Sequence, residues 1–341
     1  MSKTVMQFRD KASFLSALAT LPEPDAEARA AAAARQTVLT KPAGSLGRLE
    51  DIALFMAGWQ GTARPAITRG RTAIFAGNHG VTVHGVSAFP PAVTAQMVAN
   101  FEAGGAAINA LAHAAGLELS VTALDLDRPT GDFTVGPAMS EEECLLALNA
   151  GAAAVDPALD LLTVGEMGIG NSTTAAMLCA FSFDEDATVW VGRGTGVDDA
   201  GLARKAAVIE RGRACHAASP RDPFEILARI GGREIAAIAG AVLAARHHRV
   251  PVVLDGFISC AALAPLALTV PGIVDHCLAG HCSVEPGHAR LLERLGLSPL
   301  LRLDMRLGEG SGAAVAVNII RSALAAHDGM ATFAEAGVSD R

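Results

Sequence analysis

The chain has 341 residues, of which 51% are hydrophobic and only 4% aromatic, and its formal net charge is −8. This length suits one large domain, alone or with a small satellite. The negative charge and the scattered basic residues argue against a nucleic-acid partner. Six cysteines without regular spacing argue against a disulfide framework and favour a reducing cytoplasm.

The N-terminal segment MSKTVMQFRDKASFL carries charges where a secretion signal needs its apolar stretch, so secretion is not expected. Alanine-rich helical sequence follows at 23–41. Further along, the uncharged stretch 256–274 is the best candidate for a membrane span. It contains Pro265 and Pro271 and directly follows a strand-like segment, so a buried strand and helix explain it better.

Short apolar runs, each ending in glycine or an acid, begin at about residue 71 and are separated by helical stretches. This is the pattern of a parallel sheet covered by helices on both faces. The sequence therefore predicts a doubly wound, mostly parallel α/β fold, Rossmann-like. Its six predicted strands are RTAIFAGNHG (71–80), ELSVTALDLD (118–127), LDLLTVGEMGIG (159–170), ATVWVGRGTG (187–196), VPVVLDGF (250–257) and LLRLDMRLGEG (300–310). Because ligands bind outside the carboxyl ends of such strands, we expect the chemistry on that edge.

The first predicted strand leads into AGNHGVTVHGVSAFPPAVTAQMV (76–98), a long loop followed by a helix from about Ala92. Ser87, Phe89 and Gln96 combine an apolar wall with a few hydrogen-bonding groups, which suits a flat, weakly polar ring. A lid of ordinary loop residues is the equally good alternative.

The segment TVGEMGIGNSTTAAML (163–178) reads as a strand, a glycine loop and a helix that begins near Asn171. Glycines let backbone N–H groups approach a phosphate, and the helix N-terminus adds partial positive charge. The spacing matches neither the dinucleotide fingerprint nor the P-loop, and a tight turn with a Ser or Thr cap is the plain alternative. Glu166 suits a sugar hydroxyl better than a phosphate. The candidate ligand-binding residues of this loop are Gly168, Gly170 and Asn171.

The segment VGRGTGVDDAGLARK (191–205) repeats this arrangement after the next predicted strand. Two glycine loops on one edge, with a lysine in reach, favour a monophosphate held largely by the backbone. Taken alone, Lys205 would be assigned to a solvated helix face. The candidate residues here are Arg193, Gly194, Thr195, Gly196 and Lys205.

Two later segments add polar groups to the same edge. Asp255 ends a predicted strand, where it could bind a ribose or a cation, or cap the next helix. The segment HCLAGHCSVEPGH (276–288) crowds three histidines and two cysteines together, but the spacing of its His-Cys pairs is not that of a structural zinc site. We predict no metal there, and instead a glycine-containing loop in which Ser283 donates a hydrogen bond to the ligand.

The segment MRLGEGSGAAVAV (305–317) places Glu309 between two glycines at the predicted start of a helix. The acid either caps that helix or faces a ligand and moves a proton.

Eight segments together resemble one family in chain order. They are KPAGSLGRLE, GVSAFPPAVTAQMV, GEMGIGNSTTAAML, GRGTG followed by a lysine, DGFIS, GHCSVEPGH, LGEGSGAA and TFAEAGVS. From about Lys41 to Ser339 the chain resembles the nicotinate-nucleotide–dimethylbenzimidazole phosphoribosyltransferases of cobalamin synthesis. One departure is Cys282, where the family pattern leads us to expect a basic residue.

The resemblance implies transfer of the 5-phosphoribosyl group from nicotinate mononucleotide to 5,6-dimethylbenzimidazole, which gives α-ribazole 5′-phosphate and nicotinate with inversion at C1′. It also implies a homodimer. Residues 1–65 plus 312–341 would form a small helical domain beside a large catalytic domain of residues 66–311. No metal or redox cofactor is required, because nicotinate leaves from a pyridinium that already carries positive charge.

The resemblance places the catalytic base at Glu309 and a second acid, Glu166, in the same site. Benzimidazole attacks through one ring nitrogen while the other still carries a proton, and a carboxylate in reach can accept it. The expected base-binding residues are Ser87, Phe89, Gln96 and Leu307.

Two other functions are weaker. A dehydrogenase would need a glycine fingerprint after the first strand and an acid about twenty residues later, and AGNHGVTVHG supplies neither. A non-catalytic nucleotide-binding protein would not need Glu309, Glu166 and both glycine loops together.

Overall fold

The structure is a computed structural model that describes residues 5–194 and 196–339, and its centre is a six-stranded sheet. The strands are β1 (Gly70–Ala76), β2 (Leu117–Ala123), β3 (Leu161–Met167), β4 (Val252–Leu254), β5 (Cys277–His281) and β6 (Pro299–Leu301). They lie in the order β2-β1-β3-β4-β5-β6, and every neighbouring pair is parallel. The predicted α/β class and the six-stranded parallel sheet are confirmed.

Helices account for most of the remaining described residues. They are α1 (Lys11–Ala19), α2 (Ala26–Val38), α3 (Arg48–Gln60), α4 (Ala92–Glu102), α5 (Ala107–Ala114), α6 (Glu141–Ala153), α7 (Asn171–Phe183), α8 (Asp199–His216), α9 (Pro223–Ile230), α10 (Arg233–His248), α11 (Phe257–Ala261), α12 (Ala264–Thr269), α13 (Pro286–Arg294), α14 (Ser311–Gly329) and α15 (Phe333–Ala336). Within the part of the chain that the structure describes, every helix falls short of the length or apolarity needed to cross a bilayer.

The two faces of the sheet carry separate hydrophobic cores, because successive side chains of a strand point to opposite faces. Phe75 and Val164 belong to the larger core, with residues of α6, α7 and α10. Ile74 and Val253 belong to the smaller core, with residues of α3, α5 and α14. Both faces are therefore covered, as the continuous apolar strands predict.

One predicted strand is wrong and one real strand was missed. Ala187–Val189 forms a short 3-10 helix and the residues after it a loop, so 187–196 holds no strand in its described part. The apolar residues of this segment serve side-chain packing instead, since Trp190 is fully buried and stacks on Phe183 with ring centroids 5.6 Å apart. The missing strand is β5, inside the segment that was predicted as a loop.

The glycine in β5 has a packing reason. A Cβ atom on Gly280 would lie 2.8 Å from the Cα of Ala313, so α14 packs directly on the backbone of this strand. A glycine inside a strand often marks such a close approach, although in sequence it reads as a turn.

The chain ends meet, but α14 also belongs to the sheet layer. Arg35 of α2 donates from Nε to the carbonyl of His327 at 2.8 Å, and Leu39 forms an antiparallel bridge with Thr332. At the same time Ala313 and Val317 of α14 lie in the core beneath the sheet. The division into 1–65 plus 312–341 and 66–311 stays a prediction.

The strand order also fixes where the loops gather. β2 lies on one side of β1 and β3 on the other, so the direction of winding reverses between β1 and β3. In open α/β sheets, ligands bind outside the carboxyl ends of the strands near such a reversal.

Candidate active site

A cleft lies at the carboxyl ends of β3, β4 and β5, at the edge of the sheet where the sequence predicts ligand binding. Its volume is about 700 Å³, counting its open mouth. The loop that precedes α14 closes one side of it. The predicted site residues that line it are Glu166, Gly168, Asn171, Gly194, Ser283 and Leu307.

Helix α7 presents its N-terminus to this cleft without a side-chain cap. Its N-cap residue is Gly170, with φ 98°, and it makes no side-chain capping hydrogen bond among the described residues. The Ser or Thr cap that would make this loop a plain turn is therefore not what the structure shows. An uncapped N-terminus of a 13-residue helix is suited to an anion.

Lys205 lies beside this helix terminus and not on a solvated helix face. Its side chain is buried, and Nζ donates to Ser172 Oγ at 2.9 Å and to the Gly192 carbonyl at 3.1 Å. Burial lowers the pKa of Lys205, while the charge of Glu285 opposes the shift. Lys205 forms no salt bridge with any described residue, so its charge is available to a ligand.

The rest of the second glycine loop is less clearly placed for ligand binding. Arg193 is half exposed. It forms a salt bridge with Asp199 at 2.5 Å and donates to the Val197 carbonyl at 3.1 Å. Gly196 is exposed, and neither residue lines the cleft. Thr195 lies outside the described residues.

Glu166 lies on the cleft wall at the end of β3 and is only 6% exposed. Asn171 Nδ2 donates to its Oε2. Burial, and then the nearby charges of Asp255 and Glu234, raise the pKa of Glu166 to about 8. The carboxyl group is therefore protonated at neutral pH and can donate a hydrogen bond.

Glu309 does not cap α14. The N-cap of that helix is Gly310, and Glu309 itself takes a left-handed conformation with φ 65°. Its backbone N–H donates to the Glu166 carbonyl at 3.3 Å, which brings the two acid-bearing segments together. Its side chain is buried, and Oε2 has no hydrogen-bond partner among the described residues.

The environment of Glu309 raises the pKa of its carboxyl group. Burial raises its pKa, the Asp255 charge adds to the shift, and a hydrogen bond from the Ile108 backbone opposes it. Ile108 lies in the first turn of α5, so the carboxyl group lies beside that helix terminus. Glu309 itself does not line the cleft, although its neighbour Gly308 does.

Asp255 is the acid that caps α14. Its Oδ2 accepts from the Gly310 N–H at 3.1 Å and its Oδ1 from the Ala313 N–H at 3.0 Å. The side chain is fully buried and does not line the cleft. The structure therefore supports capping over ligand contact, at α14 and not at α11, the helix that follows Asp255 in the chain.

Of the four expected base-binding residues, one lines this cleft. Leu307 is 55% exposed and lines the cleft. Ser87 is half-buried and accepts a hydrogen bond from the Phe89 N–H at 3.3 Å, while Phe89 and Gln96 are exposed. None of these three lines the cleft.

Comparison with known proteins assigns the chain to a family. The family profile described as Phosphoribosyltransferase (DBI_PRT) matches residues 21–338. The chain belongs to this phosphoribosyltransferase family. A relative from Novosphingobium aromaticivorans, named nicotinate-nucleotide–dimethylbenzimidazole phosphoribosyltransferase, is 71% identical over 98% of this chain and 99% of its own length.

Further members of the phosphoribosyltransferase family are also similar over more than nine tenths of this chain. A protein of the same name from Ruegeria pomeroyi is 60% identical over 97% of this chain and 98% of its own length. Among solved structures, CobT from Thermus thermophilus is 42% identical, has a TM-score of 0.86, and covers 92% of this chain and 100% of its own. The family expected from the sequence motifs is confirmed.

Two features of this cleft and its surroundings were not predicted. The first is a buried network in which His79 Nε2 lies 2.6 Å from Glu234 Oε1 and its Nδ1 lies 2.9 Å from Thr174 Oγ1. A Cβ on Gly168 would lie 3.1 Å from the Glu234 carboxylate, so the glycine loop rests on this network. Glu234, which follows the glycine pair 231–232, was the only residue of this network that a local motif marked. No local pattern connects it to His79.

The second is Glu285, which lines the cleft and accepts a hydrogen bond from the Gly194 N–H at 2.9 Å. It was present in the SVEPGH motif, yet only Ser283 was selected from that segment. Ser283 does line the cleft, where its N–H donates to His288 Nδ1 at 2.9 Å. Burial lowers the pKa of His288 to about 3, so the ring is a neutral support for Ser283.

The histidines and cysteines of 276–288 do not converge on one point. His276 is buried and hydrogen-bonds through Nε2 to the Val242 carbonyl at 3.0 Å, whereas His288 supports Ser283. Among the described residues, no group of three or more His, Cys, Asp or Glu side chains is arranged to hold a metal ion.

Proposed function

We propose that the chain transfers the 5-phosphoribosyl group from nicotinate mononucleotide to 5,6-dimethylbenzimidazole, with inversion at C1′. The products are α-ribazole 5′-phosphate and nicotinate. The observation that carries the proposal is the position of buried Lys205 beside the uncapped N-terminus of α7, at a cleft that Glu166 also lines. Family membership supplies the two substrates, because the relatives carry them in their names.

The phosphate of the mononucleotide binds between Lys205 and the first turn of α7. Ser172, the residue that Lys205 contacts, is the second residue of that helix, so the ammonium group and the helix terminus act on the same space. Backbone N–H groups and a lysine charge together are a standard means of holding a monophosphate. Gly168, Gly170 and Asn171 shape this space, and Gly194 faces it from the second loop.

Glu309 acts as the general base for the attacking benzimidazole. As the new bond to C1′ forms, the proton on the second ring nitrogen becomes acidic and must leave. Removal by a positioned carboxylate is worth roughly 10²–10⁴-fold in rate. The unpartnered Oε2 of Glu309 is a buried acceptor that this proton would satisfy once the side chain turns toward the cleft past Gly308.

Glu166 has a different role because its carboxyl group is protonated. With a pKa raised to about 8, it is neutral at pH 7 and donates a hydrogen bond to an acceptor on the ribose or on a ring. Glu309 therefore accepts a proton, whereas Glu166 donates a hydrogen bond.

The enzyme works as a homodimer in the cytoplasm. The described cysteines are all free thiols, and five of them are buried, which suits a reducing compartment. The exposed Phe89 and Leu307 are apolar surface that a second copy could cover. Light scattering of the purified protein tests this, since a mass of one chain would exclude the dimer.

The decisive experiment mixes the purified protein with nicotinate mononucleotide and dimethylbenzimidazole and measures nicotinate and α-ribazole 5′-phosphate by chromatography. We expect both products in equal amounts, and none when the base is left out. Binding of both substrates without turnover would identify a non-catalytic family member. Nicotinate release that does not depend on the base would indicate a hydrolase.

A further inference from the structure

A carboxylate of the protein lies at the second glycine loop, beside the proposed phosphate site. Glu285 Oε1 accepts from the Gly194 N–H at 2.9 Å. Its other oxygen lies so close to Gly192 that a Cβ atom there would overlap it, so the contact requires glycine at position 192. Glu285 is half-buried and lines the cleft, so its charge faces the space that a ligand enters.

The groups around this carboxylate are those that would hold a phosphate. Lys205 donates to the Gly192 carbonyl, and its Nζ lies 3.2 Å from where a Cβ of Gly194 would be. Arg306, which also lines the cleft, donates to the Gly194 carbonyl at 3.5 Å. Glu285 thus accepts the Gly194 N–H in a loop that Lys205 and Arg306 also contact, as a bound anion would.

We propose that Glu285 is a specificity-determining residue that competes with the phosphate of the mononucleotide for the Gly194 N–H and for the charge of Lys205. The inference rests on the proposed function, in which that phosphate binds beside Lys205. A phosphate and a carboxylate repel each other at this separation, so Glu285 leaves Gly194 when a phosphorylated ligand enters. A ligand without a phosphate leaves the contact in place.

This competition sets how strongly the site prefers phosphorylated ribonucleosides. Each binding event of the mononucleotide must first break the Glu285–Gly194 contact, which weakens its apparent affinity. Nicotinate riboside, which has the same base and sugar but no phosphate, avoids this loss. The wild-type preference for the mononucleotide is therefore smaller than Lys205 and α7 alone would produce.

The test compares E285Q with wild type on both substrates. Glutamine still accepts the Gly194 N–H but carries no charge, so the loop keeps its contact and only the repulsion is lost. We expect the KM for nicotinate mononucleotide, and its Kd by calorimetry without the acceptor base, to fall about fivefold, the effect of removing one partly exposed charge. The KM for nicotinate riboside should stay the same, and inorganic phosphate should inhibit E285Q more strongly.

Glu293→Gln, an exposed position on α13, the helix that Glu285 directly precedes, is the matched control and should change nothing. A KM for the mononucleotide that rises in E285Q, or an equal change for both substrates, would overturn the inference and make Glu285 a support of the loop. E285D is a second variant, whose shorter side chain withdraws from Gly194, and it should also lower the KM for the mononucleotide. Urea midpoints equal to wild type show that the variants are folded.

Lys205→Met separates this inference from the proposed function. If it leaves the KM for the mononucleotide unchanged, the phosphate site itself is wrong. If Lys205→Met raises that KM while E285Q does not lower it, the phosphate site stands and only the competition is refuted.

Discussion

The protonation of Glu166 should be visible in the stability of the protein, independently of any turnover. Its pKa is raised from an ordinary 4.5 to about 8, chiefly by burial. Between these values the folded chain keeps the proton while the unfolded chain releases it, so the folded state binds more protons and the free energy of unfolding falls as pH rises. At 1.36 kcal/mol per unit, the loss is about 5 kcal/mol above pH 8, and about 3 kcal/mol of it falls between pH 5 and pH 8.

Glu166→Gln removes this titration while keeping an oxygen that can accept from Asn171. Urea unfolding of wild type and variant at pH 5, 6, 7 and 8 measures the difference directly. We expect the stability of the variant relative to wild type to increase by about 3 kcal/mol from pH 5 to pH 8, by the same linkage. Glu293→Gln, on an exposed helix face, controls for the general effect of an amide. If the free energy of unfolding changed with pH equally in wild type and Glu166→Gln, Glu166 would not be a buried, protonated acid.

Three further substitutions test the proposed roles. Lys205→Met should raise the KM for nicotinate mononucleotide at least about tenfold, the value of a charged hydrogen bond, with kcat nearly unchanged; an equal KM would discard the phosphate contact. Glu309→Gln should lower kcat by roughly 10²–10⁴ with both substrates still bound in calorimetry, and a wild-type kcat would exclude it as the base. Glu234→Gln removes a charge that raises the pKa of Glu166, so the limb of the pH profile of kcat/KM due to Glu166 should move to lower pH, and an unmoved profile would contradict that coupling.

The fold was predictable where a strand is a long apolar run. β1, β2 and β3 each have seven residues; β3 lies within its predicted segment, and β1 and β2 each begin one residue before theirs. ATVWV has a similar apolar composition, but Ala187 and Trp190 are buried in the larger core while Val189 is exposed, and composition alone does not distinguish a strand from other partly buried chain. β5 was missed for the opposite reason, because the glycine that lets α14 approach reads as a turn.

The site was predictable where its residues follow a strand within one loop. Glu166, Gly168 and Asn171 follow β3 within a few residues and line the cleft as expected. The polar contacts that were missed join distant parts of the chain. Glu285 and Gly194 are 91 residues apart, and His79 and Glu234 are 155 apart. No local pattern in one sequence reports such a pairing, because the fold alone brings the partners together.

The left-handed backbone at Glu309, with φ 65°, has a consequence for engineering the enzyme. Glycine adopts this conformation without the strain of roughly 1 kcal/mol or more that a residue with a side chain carries there. A thermostability screen that does not measure turnover would therefore favour glycine at position 309 and select a more stable but inactive protein. Stabilised versions of this chain should be chosen with residue 309 held fixed.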